Sequence, residues 1–116
     1  MVQKEWCTFV SDELLEGTTK VNTISYQELI VKYPMSFDTL VLDCEGAFYY
    51  IVMDMPEVLD NIQLIIMEND YLKMEEKEYV DNTLKNKNFR RIYKEQGPWG
   101  PCQSNFYEIW KRKIEV

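Results

Sequence analysis

The chain has 116 residues, of which 46% are hydrophobic and 14% aromatic, so it can bury a single core and is not expected to be disordered. Its formal net charge of −7 disfavours nucleic acids and anionic membranes as partners, because both repel an acidic surface. With no histidine and three cysteines that lack a CxxC spacing, zinc sites and Ser-His or Cys-His nucleophile pairs are not expected.

The same sequence indicates a cytoplasmic protein without a membrane span. No apolar run approaches the roughly 20 residues of a membrane-spanning helix. The first residues, MVQKEWCTFVSDE, lack the apolar core of a signal peptide. Cysteines in such a compartment are expected to remain reduced.

The first 20 residues are predicted to be a separate N-terminal segment, followed by one domain over residues 21–116. Trp6–Val10 is compatible with a short strand, which would be free to cover an edge of the main sheet. In the domain, Ser25 is predicted to begin a helix, because Glu28 three residues later completes a capping box. Tyr33 precedes a proline, which ends that helix.

Two apolar runs predict the centre of a parallel sheet. Leu40–Asp43 and Ile62–Glu68 are each too short for a typical helix, and both end in acidic residues. Ala47–Leu59 between them predicts a helix interrupted by Pro56. A strand, a helix and a strand at this spacing form a βαβ unit with a right-handed crossover, so the two strands are expected to be parallel neighbours.

The remainder of the chain predicts one long helix and a hairpin. Tyr71–Lys87 is amphipathic; its predicted inner face comprises Leu72, Glu76, Tyr79, Val80 and Leu84, and its predicted outer face comprises Lys73, Glu75, Lys77 and Asp81. Phe89–Lys94 and Phe106–Lys111 are predicted strands, and the Gly/Pro-rich loop that joins them contains no helix, so they should be antiparallel. The expected fold class is α/β, a sheet of about four strands with a parallel pair, an antiparallel C-terminal hairpin and helices on both faces.

Acidic and amide side chains follow both central strands. Asp43 and Glu45 come at the end of the first, with Gly46 next, and Glu68 and Asn69 come at the end of the second. Because ligands of open α/β sheets bind at the carboxyl ends of the strands, these residues are candidate site residues. Two other interpretations stay open: the acids only cap the helices that follow, or Asp43, Glu45 and Glu68 hold Mg²⁺.

The order of these segments carries a family resemblance. TISYQELI, FDTLVLDCEGA, IQLIIMEND and NFRRIY follow one another as in the C-terminal half of FkbM-type S-adenosylmethionine-dependent methyltransferases, which the chain resembles from about Val21 to Arg112. The resemblance implies a truncated Rossmann-like methyltransferase sheet that keeps the fourth to seventh strands of its parent. Their spatial order would be fourth, fifth, seventh, sixth, with the seventh strand antiparallel.

The sequence departs from the family pattern at the cofactor site. Val41 and Phe48 stand where the family has a lysine and a glutamate. Methyltransferases of this fold hold the cofactor with a glycine-rich loop, and the four glycines here, at 17, 46, 97 and 100, do not form GxGxG. S-adenosylmethionine is the implied cofactor, but it is expected to bind this chain alone weakly or not at all. No cofactor-binding residue is assigned, and no metal is expected.

Two functions follow from these observations. The resemblance implies one half of an O-methyltransferase, active only when a partner completes it, in which Asp43 and Glu45 orient or deprotonate the acceptor hydroxyl. Their proximity would raise the pKa of one of the two. Glu68 and Asn69 would line the acceptor side, and Gly46 would allow the turn. The alternative is a non-catalytic interaction or structural module derived from such an enzyme, so enzymatic activity stays open.

The strand at Leu40–Asp43 would become an edge in such a half-sheet. It is apolar on both faces and contains no proline, lysine or bulge signal that would protect an edge. Leaving Leu40, Val41 and Leu42 uncovered forfeits roughly 5–9 kcal/mol of apolar burial. A second protein chain, or a second copy of this one, is therefore expected to cover this edge.

Overall fold

The computed structural model describes residues 2–4, 7–9, 16–17 and 19–113, and the chain divides into two compact units, Met1–Met35 and Ser36–Val116. The predicted division lay earlier, after residue 20, whereas the helix that begins near Ser25 belongs to the first unit. Each unit has its own sheet, and each is described by itself.

The first unit contains a small antiparallel sheet followed by a helix. β1 (Val2–Lys4) lies between β2 (Cys7–Phe9) and β3 (Thr19–Lys20). Trp6 and Val10, the ends of the strand predicted to cover the main sheet, lie outside the described residues. The residues between them pair with β1.

Helix α1 (Tyr26–Lys32) begins and ends where the sequence predicts. The Ser25 hydroxyl accepts a hydrogen bond from the backbone N–H of Glu28 at 3.1 Å and donates to the carboxylate of the same residue at 3.2 Å. This contact satisfies a backbone donor that the first turn leaves unpaired. Tyr33, before the proline, has left the helical region and closes the helix. The predicted N-terminal cap is confirmed.

The second unit contains the predicted mixed sheet of four strands. They are β4 (Thr39–Leu42), β5 (Leu64–Glu68), β6 (Phe89–Glu95) and β7 (Tyr107–Arg112), in the spatial order β4-β5-β7-β6. β4 and β5 run parallel, and β7 runs antiparallel to both of its neighbours. The parallel pair, the antiparallel hairpin and the predicted strand order are confirmed.

The helices of this unit pack on the sheet and build its core. α2 (Phe48–Asp54) leads into a short 3₁₀ helix at Pro56–Leu59, and α3 (Met74–Asn86) follows β5. Side chains from all three share one core with the strands, formed mainly by Phe48, Val52, Leu59, Ile65, Met67, Val80, Leu84, Phe89 and Trp110. None of the described helices is long and apolar enough to cross a membrane.

The described helices of the second unit cover only one face of the sheet, not both faces as predicted. The opposite face carries apolar side chains that remain exposed, with Val41 at 72% and Ile66 at 40%. Leu40 and Leu42 pack against the core, because successive residues of a strand point to opposite faces. Of the three apolar residues expected to be uncovered in this strand, only Val41 is.

Three residues of the long helix region differ in exposure from the prediction; one of them is Tyr79, predicted to face inward and 41% exposed. Leu72, predicted to face inward, precedes α3 and is 80% exposed. Lys77, predicted to face outward because of its charge, is only 3% exposed and pairs with the buried carboxylate of Glu108. Lys77 lies three and seven residues before Val80 and Leu84, so it belongs to the same buried stripe. The inward positions of Val80 and Leu84 are confirmed.

Arg112, at the end of β7, joins three chain segments. Its Nε donates to the carbonyl of Ile62 at 2.9 Å, and its two terminal nitrogens donate to the carbonyls of Lys87 and Leu59, each at 2.6 Å. Its guanidinium also lies 4.3 Å from the centre of the Phe89 ring. Because Leu59 ends the 3₁₀ helix and Lys87 caps α3, Arg112 supplies donors to carbonyls that helix ends leave unpaired.

Replacing Arg112 with alanine is expected to lower the free energy of unfolding by about 2–4 kcal/mol, because three charged hydrogen bonds are lost together. Arg112→Lys should recover only part of this, since one ammonium cannot serve three separated carbonyls as a guanidinium does. The exposed neighbour Lys111 is the control, and Lys111→Ala should change stability by less than about 0.5 kcal/mol. Urea unfolding measures all three variants, and equal effects at both positions would contradict this role of Arg112.

Candidate functional site

The carboxyl ends of β4, β5 and β6 meet at one end of the sheet. The register of the parallel pair brings Asp43 and Glu68 to adjacent strand ends. β6 runs in the same direction as β5, because both are antiparallel to β7, and Tyr107 at the start of β7 pairs with both Glu68 and Glu95. We call the acids at this end the acidic rim: Asp43, Glu45, Glu68, Asp70 and Glu95.

A tight turn after β4 sets the position of the rim. Glu45 has a φ of 54° and Gly46 a φ of 82°, so two successive residues adopt left-handed conformations. This conformation is strained for Glu45 and easy for glycine. A Cβ added at Gly46 would lie 2.8 Å from the carbonyl oxygen of Asp70. Gly46 therefore allows the turn and also a close approach to the backbone that follows β5.

The rim acids form two hydrogen-bonded carboxyl pairs. Glu45 hydrogen bonds to Asp70, and this bond, with some desolvation and the charges of Asp70 and Asp43, raises the pKa of Glu45 to about 7. Glu68 hydrogen bonds to Asp43, and this bond, with some desolvation and the charges of Asp43 and Glu45, raises the pKa of Glu68. A bond between two carboxyl groups needs a proton, so Glu45 and Glu68 retain theirs more readily than an ordinary glutamate does. Asp43 and Glu45 are close in sequence, but the largest cause of the shift at Glu45 is Asp70, which follows β5.

Asn69 belongs to the interior rather than to the surface of the rim. Its side chain is buried, and its Nδ2 donates to the Asn105 carbonyl and to Glu108 Oε1, both at 2.7 Å. Its Oδ1 has no hydrogen-bond partner among the described residues. The structure thus brings Asp43, Glu45 and Glu68 together and places the Asn69 side chain apart from them.

Beside Asn69 lies a buried charge network that sequence reasoning missed. Glu108 has no exposed side-chain surface; its Oε1 accepts from Lys77 Nζ at 2.5 Å and from Trp110 Nε1 at 3.1 Å, and its Oε2 accepts from Arg91 at 2.9 Å. Burial opposes the ionisation of Glu108, but the charge of Lys77 and the hydrogen bonds outweigh it and hold the pKa of Glu108 below its usual value. The alternation of residues along β7 could have indicated that Glu108 is buried, because it places Glu108 on the same face of the sheet as Trp110.

The open face of the sheet leads to the acidic rim. A depression of about 360 Å³ there is lined by apolar and aromatic side chains of the open face and by rim acids, among them Val41, Ile66, Tyr93, Ile109, Asp43, Glu68 and Glu95. This volume is near the lower end of that of small-molecule sites. Apolar side chains beside carboxyl groups suit a ligand with an apolar body and a hydroxyl or cationic group.

The two alternative interpretations of the acids find no support in their positions. Helix α2 is capped by Ala47 and α3 by Lys73, and neither cap makes a side-chain hydrogen bond, so the rim acids do not act as caps. Within the part of the chain that the structure describes, no group of three or more histidine, cysteine, aspartate or glutamate side chains is arranged to hold a metal ion. The rim carboxyls pair with one another instead.

No protein-family model, curated protein or solved structure matches the chain. The likeness to FkbM-type methyltransferases rests on the sequence segments quoted above.

Asp70→Asn is expected to lower the pKa of Glu45 from about 7 toward that of an ordinary glutamate, because the variant removes the partner's charge and the shared proton. A carbon-13 NMR titration of the Glu45 carboxyl measures this directly. Asp54→Asn, at the exposed end of α2, is the matched control and should leave the pKa of Glu45 unchanged. An unmodified chain in which Glu45 titrates at its usual value would contradict the pairing.

The same pairing gives stability a defined pH dependence. The pKa of Glu45 is higher in the folded chain than its usual value of 4.5, so folding favours the protonated form. The stabilisation is therefore complete below pH 4.5 and is lost as the pH rises through about 7. From pH 5 to pH 8, the free energy of unfolding measured in urea should fall less in Asp70→Asn than in the unmodified chain.

Proposed function

We propose that the chain is the acceptor-binding half of a methyl-transfer site and that a second protein chain completes it. The observation that carries this is the position of the acidic rim at the end of an edge strand and beside an apolar sheet face. Among the described residues, β5 is the only strand partner of β4, so the rim ends at an open seam where water is poorly excluded. The order β4-β5-β7-β6, with β7 antiparallel, agrees with what the resemblance implies for an FkbM-type half-sheet.

Glu45 is the residue of this chain best suited to take a proton. With a pKa of about 7, both of its protonation states are populated at neutral pH, which is the condition for efficient general acid–base catalysis. In the proposed role, the carboxylate of Glu45 accepts the proton of an acceptor hydroxyl, and Asp70 shares that proton. Asp43 and Glu68, which lie beside each other at the adjacent strand ends, orient the hydroxyl by hydrogen bonds.

The cofactor side of the site is not built from the described residues of this chain. The resemblance implies S-adenosylmethionine, but the rim does not fit it. A Cβ at Gly46 would meet the Asp70 carbonyl, so the space beside this glycine is taken by backbone and not kept open for a ligand. The rim carboxyls would also repel the carboxylate of the cofactor. Cofactor binding is therefore assigned to the partner chain.

A different chain suits the open edge better than a second copy of this one. Two-fold pairing of two copies along β4 would be antiparallel and would set Asp38 of one copy beside Asp43 of the other at both ends. Each copy also carries a net charge of −7, which opposes association. A partner with an apolar surface and with basic residues near the strand ends avoids both the paired aspartates and the repulsion between like net charges. Covering Val41 and Ile66 contributes roughly 1.5–3 kcal/mol of binding free energy for each side chain.

A non-catalytic interaction module is the second candidate function. Val41 replaces the lysine of the family pattern and is 72% exposed on the open face, which favours protein contact at this position. Such a module would use the same edge and face but would not need Glu45. A Glu45→Gln variant that binds the partner and abolishes methyl transfer would support the enzyme, whereas one that leaves the activity of the assembly unchanged would support the module.

Without its partner, the isolated chain is expected to self-associate weakly at low micromolar concentration. Val41→Lys should shift it toward monomer, because a lysine on an edge strand opposes both strand pairing and apolar contact. Val31→Lys, at an 81% exposed valine of α1, is the matched control and should have no effect. Light scattering is the measurement. A monodisperse species of 14.0 kDa with a cooperative melt would contradict the need for a partner.

Calorimetric titration of the isolated chain with S-adenosylmethionine is expected to give no binding in the micromolar range, because the rim lacks a glycine-rich cradle. Micromolar binding that is lost in Glu45→Gln would place the cofactor site in this chain and contradict its assignment to the partner. Glu75→Gln, at an exposed glutamate of α3, separates such a local effect from a general change of charge.

A further inference from the structure

A cleft of about 320 Å³ lies at the end of the sheet opposite to the acidic rim, where β6 begins and β7 ends. We call it the basic cleft, because its lining includes Lys85, Arg90, Arg91 and Lys113, with Asp81 as the one acid among the described lining residues. Such a cluster is unexpected in a chain of net charge −7. Like charges at close range raise the energy of a site unless an anion lies among them.

Arg91 and Asp81 belong to a charge group that is already neutral. Asp81 pairs with Lys77, and Glu108 pairs with both Lys77 and Arg91. Two acids and two bases therefore compensate one another inside the fold. The remaining basic residues of the cleft are additional to this group.

Three cations of the basic cleft have no acidic partner among the described residues. Across the described part of the chain, no carboxylate lies within salt-bridge distance of Lys85, Arg90 or Lys113. Arg90 also lies opposite Lys111 in the β6–β7 register, and like charges in directly opposed positions destabilise a sheet. Among the described residues, the cleft thus carries an excess of positive charge that no acid balances.

The aromatic residues of the cleft offer no free ring for a base or sugar to stack on. Phe89 and Trp110 are each 1% exposed. The guanidinium of Arg112 lies over the Phe89 ring at 4.3 Å, and Lys77 lies 5.7 Å from the centre of the Trp110 ring. Recognition in this cleft therefore depends on charge and hydrogen bonds rather than on stacking.

We propose that the basic cleft binds a phosphate group, as inorganic phosphate or as the phosphomonoester of a small molecule. A phosphate carries about 1.5–2 negative charges at pH 7 and three acceptor oxygens, which matches the unpaired cations better than a single carboxylate does. Arg90 lines the cleft from the exposed start of β6, and a guanidinium can donate two parallel hydrogen bonds to a phosphate. Arg91 is held in place by its 2.9 Å bond to Glu108, so it is oriented before a ligand arrives. The cleft lies at the other end of the sheet from the acidic rim and is independent of the proposed methyl transfer.

Titration of the nitrogen-15-labelled chain with inorganic phosphate at low salt tests this site. Saturable amide shifts confined to the cleft are expected, and sodium chloride at equal ionic strength should not reproduce them. Each of Lys85→Gln, Arg90→Gln and Lys113→Gln should weaken binding about threefold, and the triple variant roughly tenfold or more. Lys73→Gln, at an exposed lysine before α3, is the matched control and should not change the affinity.

All three cleft residues are exposed, so their variants should fold, and unchanged amide signals elsewhere in the second unit verify this. Equal affinity of the triple variant, or shifts spread evenly over all basic residues, would overturn the proposal. Concentration-dependent shifts of the cleft amides without phosphate would also overturn it, because the acidic rim of another copy would then be the occupant. Tighter binding of glycerol 3-phosphate than of inorganic phosphate would support the ester form of the ligand.

Discussion

Glu108 is the buried charge on which the packing of the second unit depends. Its carboxylate takes hydrogen bonds from Lys77 of α3, Arg91 of β6, Asn69 after β5 and Trp110 of its own strand. Removing one partner of a buried ion pair typically costs about 3–5 kcal/mol, because the other charge is left uncompensated. Contacts from these segments therefore fix α3 on the sheet and hold the chain where it leaves β5, next to the acidic rim.

The neutral group around Glu108 also lies between two ends of opposite charge. At the carboxyl ends of the parallel strands, Glu45 lies beside Asp70 and Glu68 beside Asp43, and the pKa of each glutamate is raised, that of Glu45 to about 7. Lys85, Arg90 and Lys113, which form no ion pair with a described residue, lie at the other end, where β6 begins and β7 ends. The proposed proton transfer and the proposed phosphate binding are thus assigned to opposite ends of one small sheet.

Elements whose signals are local were predictable from the sequence, and contacts between elements were not. The apolar run at Leu40–Asp43 is offset from the observed strand Thr39–Leu42 by one residue, and Ile62–Glu68 contains the observed strand Leu64–Glu68. The cap at Ser25 depends on a residue three positions away. Lys77 was placed outside because a charge on an amphipathic helix is usually solvated, yet its partner Glu108 is 31 residues further along the chain.

The carboxyl pairs of the rim could not be derived from spacing alone. They require the register of β4 with β5 and a turn in which Glu45 itself has a positive φ, and no local pattern specifies either. The position of the open face also depends on contacts between elements that the sequence pattern does not specify. Alternation shows that Val41 and Leu42 face opposite sides, but only the packing of α2 and α3 decides which side is covered.

The open edge of β4 is the feature on which the proposed function depends. Hydrogen exchange of the β4 amides in the isolated chain, at a concentration where light scattering shows a monomer, measures it most directly. We expect the amides of Thr39–Leu42 that do not donate to β5 to exchange almost as fast as in an unfolded chain, while β5, paired on both sides, is protected. Strong protection of every β4 amide in a monomer would mean that the edge is already covered within the chain and would contradict the need for a partner.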